Sequence, residues 1–154
     1  MLRAVFDANV YVSAAIRPEG PPGRLLDRFI RESAFELVLS PAIIDEVRET
    51  LADPKVRRYI RAAIDAPTWF ETIVVLANPV AGEYEVHGAS RDPDDDKYLA
   101  AAVEGGATFV VSGDPDLLDI KEHDGIRIVN PRHFLDVLAE VLRLQEQRDE
   151  HRKR

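Results

Sequence analysis

Cysteine is absent from the 154 residues. That removes structural disulfides, thiolate zinc sites and cysteine nucleophiles together, and gives no reason to place the chain in an oxidising compartment. Long apolar runs are missing too. Arg3 and Asp7 interrupt the N-terminal MLRAVFDANVYVSAAIRPEG, so it lacks the apolar region of a signal peptide, and no stretch approaches membrane-spanning length. A cytoplasmic location is the expectation. Histidine is sparse: His87, His123, His133 and His151 are scattered, without the paired spacing that zinc sites use. Positive charge is in deficit, and the formal net charge of −8 argues against a protein that coats nucleic acid through a generally basic surface. The deficit is confined to one half. Residues 1–66 carry ten basic and ten acidic side chains, residues 67–154 ten and eighteen, so basic patches are available in the first half.

What remains is ordinary for a soluble globular chain: 45% hydrophobic, 31% charged, and long enough for one domain with a real core. No repeat or low-complexity linker divides it. Short apolar segments alternate with longer amphipathic ones, which is the pattern of an α/β fold. Strands are expected at Arg3–Phe6, Phe35–Leu39, Thr108–Val111 and Ile126–Val129; their continuous hydrophobicity implies burial on both faces, as in a parallel sheet. Helical spacing in GPPGRLLDRFIRE aligns Leu25, Leu26, Phe29 and Ile30. SPAIIDEVRETL opens with Ser40 as cap and Pro41 at the first position. Asn130 and Pro131 repeat the device before a helix expected to bury Phe134, Leu135, Leu138, Val141 and Leu142, with a frayed charged end over EQRDEHRKR. The segment 67–77 fits helix or strand, and helix is preferred; residues 78–91 read as loop. The domain is placed at 1–145 and a charged tail at 146–154.

In a parallel α/β sheet, ligands bind beyond the carboxyl ends of the strands. Two strands here run into acids, the first into Asp7 and the third, through Ser112 and Gly113, into Asp114. One such aspartate is explained by capping; two at equivalent positions are not so easily dismissed. The run RDPDDDKYLAAA adds four aspartates in five positions. With Asp92 as cap and Pro93 at the first helical position, Asp94 faces away from the apolar stripe of Leu99, Ala100 and Val103, Asp95 lies at its edge, and Asp96 falls near its middle. A carboxylate on an apolar face is costly without a compensating cation or donor, so capping explains Asp96 worst. Glu46 flanks the stripe of Ile43, Ile44, Val47 and Leu51, and could share the same cleft.

Asp7, Glu46, Asp96 and Asp114 would repel one another if gathered without neutralisation. Mg2+ or Mn2+ takes oxygen ligands and removes that repulsion, and a metal pair about 3.5 to 4 Å apart clamps both oxygens of a phosphodiester displacement. Metal-assisted phosphoryl transfer to water is the chemistry implied.

VFDANVYVSAAI, LSPAIIDEV, DPDDDKYLAAAV and VVSGDPDLL, in this order and spacing, resemble the PIN-domain ribonucleases, and among them the VapC-like toxins of toxin–antitoxin systems. The resemblance runs to about Asn130. It implies a three-layer sandwich with a central parallel sheet flanked by helices. It also implies a Mg2+- or Mn2+-dependent endoribonuclease, usually a homodimer, often inhibited by a cognate antitoxin. The catalytic acids map to Asp7, Glu46, Asp96 and Asp114, with Asp7, Asp96 and Asp114 as metal ligands. The triple aspartate leaves the register among Asp94, Asp95 and Asp96 open, and helical phase favours Asp96. Asn9, Ser13 and Ser112 map to polar positions that orient a carboxylate or water, and Asp116 to one that assists Asp114.

Lys55, Arg57, Arg58 and Arg61, with Tyr59 interleaved, are the densest basic cluster and the candidate RNA contact; Arg17, Arg24, Arg28 and Arg31 form a second. A solvated helix face explains any one of these arginines as well. Phe29, Phe134 and Trp69 fit core or interface better than base platforms. Two rivals stand beside the nuclease. A haloacid-dehalogenase-type phosphatase would use Asp7, but has Asn9 where its second aspartate belongs and no role for Asp96. A catalytically inactive PIN module, or a phosphoacceptor receiver, would bind without cutting.

Overall fold

The computed structural model describes residues 1–153. In chain order the elements are β1 (Arg3–Phe6), α1 (Ala8–Ile16), α2 (Pro21–Glu32), β2 (Glu36–Leu39), α3 (Pro41–Ala52), α4 (Pro54–Arg57), α5 (Ala66–Leu76) and β3 (Asn78–Pro79). A single 3-10 turn, Pro93–Asp95, then leads into α6 (Asp96–Gly105), β4 (Phe109–Val111), α7 (Pro115–Leu118), β5 (Glu122–His123), β6 (Ile126–Val129) and α8 (Pro131–Arg152). The sheet runs β3-β2-β1-β4-β6-β5, parallel throughout except for β5.

Register and pleat define the layers. Ala4 lies opposite Leu37 and Phe109, and Phe6 opposite Val111, so these residues share one face, while Val5, Val38 and Val110 share the other. On the Phe6 face, Phe134 of α8 packs edge-on against Phe6 and Phe35 at centroid distances of 6.0 and 5.3 Å. Tyr11 of α1 joins them at 5.9 Å from Phe6. On the Val5 face lies α6. It approaches so closely that a Cβ on Gly105 would stand 2.5 Å from Val38 Cγ1, which is why this position is glycine. Gly106 then ends the helix with φ of 67°. The result is the three-layer α/β sandwich expected.

The expected strands match to within one residue at their starts. Segment 67–77 is helical, started by Asp65, whose carboxylate accepts from the Thr68 N–H. Within 78–91, Asn78 and Pro79 pair with β2 as a two-residue edge strand, too short to show periodicity. The β5–β6 hairpin was unexpected, although Asp124-Gly125 marks it: both take positive φ, 51° and 80°, as a tight hairpin turn requires. In α8, Phe134 and Leu138 are buried but Leu142 is 47% exposed, because the helix has run past the edge of the body. Its charged end, expected to fray, is helical as far as Arg152 and exposed.

Candidate active site at the strand ends

Leaving β1, the chain builds the neighbouring strands outward on one side (β2, β3), then returns to build them on the other (β4, β6). The gap between the carboxyl ends of β1 and β4 is therefore the topological switch point. Asp7 and Asp114 lie there. The Asp7 N–H donates to Val111 O at 3.0 Å, continuing the ladder one residue beyond β1. The Asp7 side chain caps α1, with Oδ1 accepting from the Asn9 N–H at 2.6 Å, and its Oδ2 accepts from Ser112 Oγ at 2.5 Å. Ser112 Oγ in turn accepts from the Asp114 N–H at 2.9 Å, and Asp114 Oδ1 accepts from the Asp116 N–H at 2.9 Å. Capping and site-building are the same event here. Asp7 is 3% exposed; burial raises its pKa despite the Ser112 and Asn9 donors, and the charges of Asp114 and Glu46 raise it further.

The triple aspartate divides differently from the expectation. Asp92 caps as expected, accepting from the Asp94 N–H at 3.0 Å. Asp96 lies on the buried face as its phase requires, at 5% exposure, but its carboxylate is taken by the loop before it: Oδ2 accepts from the Gly88 N–H at 3.0 Å and Oδ1 from the Ser90 N–H at 2.7 Å. Asp95 is the residue that faces the strand-end acids. It is within hydrogen-bond reach of the Asp114 carboxylate and feels the charges of Asp92 and Asp7; desolvation and these neighbours push its pKa up to about 7. Asp95 Oδ2 is buried without a hydrogen-bond partner. The helical phase failed at Asp95 because residues 93–95 are a 3-10 turn, which advances about 120° per residue rather than 100°. In the structure, then, Asp95 is nearer the strand-end acids than Asp96, whose carboxylate is bonded to the loop.

Glu46 also reaches the site, close enough to raise the Asp7 pKa. Both of its carboxylate oxygens are held: Oε1 accepts from Tyr98 Oη at 2.6 Å, and Oε2 pairs with Lys97 Nζ. Tyr98 Oη also accepts from the Ala8 N–H at 3.2 Å. Neither Lys97 nor Tyr98 was singled out in the sequence.

The remaining candidates are more peripheral. Asn9 supplies its backbone N–H to Asp7, while its residue, like Ser13 one turn on, is exposed. Asp116 donates its backbone N–H to the capping Asp114, and its side chain pairs with Arg91 at 3.4 Å; Arg91 also holds Asp119 at 2.8 Å. Lys55, Arg57, Arg58 and Arg61 are exposed on and after α4. Arg58 lies over the Tyr59 ring at 4.8 Å and Arg61 pairs with Glu19 at 2.8 Å. Of the second cluster, Arg28 and Arg31 pair with Glu32 and Asp27 along α2. None of these cations bonds to the strand-end acids among the described residues. The loop over residues 82–90 is pinned at its other end by Glu104, whose oxygens accept from the Gly82 and Glu83 N–H groups at 3.2 and 3.3 Å.

Among the described residues no group of three or more His, Cys, Asp or Glu side chains is arranged to hold a metal ion. The donor set nevertheless suits a hard divalent cation: all oxygen, with a donorless buried oxygen on Asp95 and raised pKa values on Asp7 and Asp95 that positive charge would relieve.

A parallel α/β sheet with carboxylates at its switch point defines a class of open α/β folds whose site lies beyond the strand ends. Within that class the chain belongs to the PIN domain family, a family of nucleases, whose profile matches residues 3–116. It is 30% identical over 136 residues to the uncharacterized protein MJ1680 of Methanocaldococcus jannaschii, covering 86% of this chain and 84% of that protein. Among solved structures, VapBC2 from Rickettsia felis bound to a DNA fragment from its promoter superposes with a TM-score of 0.55 at 9% identity, over 84% of this chain and 98% of the other. PAE2754 from Pyrobaculum aerophilum gives 0.53 at 17% identity, over 90% of each chain. These two likenesses show the fold. No helix among the described residues is long and apolar enough to cross a membrane.

Proposed function

We propose that the protein is a Mg2+- or Mn2+-dependent endoribonuclease that hydrolyses RNA phosphodiester bonds. The observation that carries this reading is Asp95 beside Asp114 at the switch point, close enough to Asp7 to feel its charge and left with a buried oxygen that has no donor. Asp7, Asp95 and Asp114 hold the cation, in place of a set containing Asp96. When bound, the cation supplies charge neutralisation and Lewis acidity toward phosphoryl oxygen and water. Ser112 fixes the rotamer of Asp7 and, through the Asp114 N–H, the entry of the next acid. Glu46, held between Lys97 and Tyr98, orients the attacking water and takes its proton. No protein nucleophile is needed. The phosphatase alternative leaves Asp95 without a task.

RNA contacts fall to Lys55, Arg57, Arg58, Tyr59 and Arg61, which are exposed to meet phosphates and a base, Arg61 by giving up its pairing with Glu19. A homodimer, an antitoxin partner and a cytoplasmic setting complete the proposal. The fold shared with VapBC2, a complex crystallised on promoter DNA, supports the antitoxin. The test is cleavage of RNA in Mn2+ by wild type, Asp95→Asn and Asp96→Asn. Cleavage lost only in Asp95→Asn is expected. Undiminished metal-dependent cleavage by Asp95→Asn overturns the ligand set, and a wild type that cuts no RNA but binds the product of a neighbouring reading frame is an inactive PIN scaffold.

A further inference from the structure

One hydroxyl ties together three of the segments that carry the acids. Tyr98 Oη accepts from the N–H of Ala8, the residue after Asp7, and donates to Glu46 Oε1 on α3, while its own backbone belongs to α6, three residues beyond Asp95. The ring is buried at 2% exposure, and desolvation with the hydrogen bond to Glu46 pushes the phenol above its ordinary range. Lys97 Nζ occupies the other Glu46 oxygen. A glutamate on a helix flank ordinarily samples several rotamers; this one is fixed from both sides.

From this geometry we infer that Tyr98 is a positioning residue that orients Glu46 toward the attacking water and sets its distance from Asp7. The inference rests on the nuclease reading and deepens it. A phenylalanine would fill the same space, so the hydroxyl is present for its two hydrogen bonds. Lys97 balances the charge of Glu46, and Tyr98 supplies direction. The Ala8 N–H is one of the first-turn donors of α1 that lack a partner within the helix, so the same bond fixes the helix start against Glu46.

Tyr98→Phe is the test, measured alone and in a Glu46→Gln background with Mn2+ and a short RNA. Alone, it lowers kcat by about ten- to a hundredfold with KM within about twofold, the size expected for a charge-assisted bond that orients a reacting group. In Glu46→Gln it has less than about a twofold further effect, because the coupling runs through Glu46. Equal losses in both backgrounds, or no loss alone, overturn the proposal. The side-chain carboxyl 13C resonance of Glu46, followed in metal-free protein, is independent of activity. It shifts in Tyr98→Phe if the tie is real, and an unchanged resonance overturns the tie. Absence of RNA cleavage by the wild type, with the Glu46 resonance still shifted in Tyr98→Phe, refutes the nuclease reading and leaves the tie standing.

Discussion

The carboxyl ends of β1 and β4 and the segment that enters α6 both bring aspartates to the same cleft by different means. At the strand ends, the backbone ladder does the placing: Asp7 and Ser112 are the next residues after paired strand positions, and their caps hold them. At the start of α6 nothing periodic does it. A 3-10 turn, a loop and a helix meet within ten residues, and adjacent aspartates go to opposite tasks, Asp95 to the cleft and Asp96 to the loop. Positions inherited from a regular element are robust; positions set at a change of helical pitch depend on one residue's rotation.

Substitutions at the two aspartates break this contrast most directly. Asp95→Asn is expected to lower RNA cleavage by about a hundredfold or more and to abolish thermal stabilisation by Mn2+, read by a cleavage time course and a melting scan with and without the ion. Asp96→Asn is expected to retain cleavage within about tenfold but to destabilise by about 1–3 kcal/mol, because two buried backbone donors lose a charged acceptor. Chemical denaturation measures that loss, and hydrogen exchange at Gly88 and Ser90 locates it. If the two variants exchange phenotypes, the division is wrong.

The acidity of the cleft supplies a smaller effect. The folded pKa of Asp95 is raised to about 7 from an ordinary 3.8, and that of Asp7 is raised in the same direction. A carboxyl with a raised folded pKa binds its proton more tightly in the native state. Its stabilisation is complete below the unfolded pKa and is lost as pH rises through the folded one. In EDTA, stability should therefore fall between about pH 4 and about pH 7, with a shallower fall in Asp95→Asn. A slope unchanged by that substitution would remove Asp95 from the cleft. The smallest effect expected is at Glu104→Gln: its two bonds to the loop are long and exposed, so a loss under about 1 kcal/mol is anticipated, against the larger loss at Asp96.

Much of the fold was legible because β1, β2, β4 and β6 are short buried runs and two of the major helices announce themselves with Ser40-Pro41 and Asn130-Pro131. The acids after β1 and β4 were legible for the same reason: the end of a parallel strand is a position that pattern alone marks. Burial of Asp96 was also readable from phase. Its direction was not, because burial on a helix face does not say which neighbour lies over that face, and here the neighbour is the 82–90 loop, which has no period. Tyr98 was hidden by its ring, which satisfies an apolar pattern while its hydroxyl does polar work. The Asp124-Gly125 hairpin was written plainly in the sequence and missed.

Asp96 and Glu104 stand eight residues apart on α6, about 12 Å along its axis. They act as two pegs for one length of cord: Glu83 at one end, Gly88 at the other, five peptide steps between. Fully drawn out, five steps reach about 18 Å and three reach about 11 Å. The loop can therefore lengthen outward at little cost, but the loss of two residues would pull it off a peg. Because one peg is the residue beside Asp95, the permitted length of a solvent-facing loop is written into the same turn that aims an acid at the cleft.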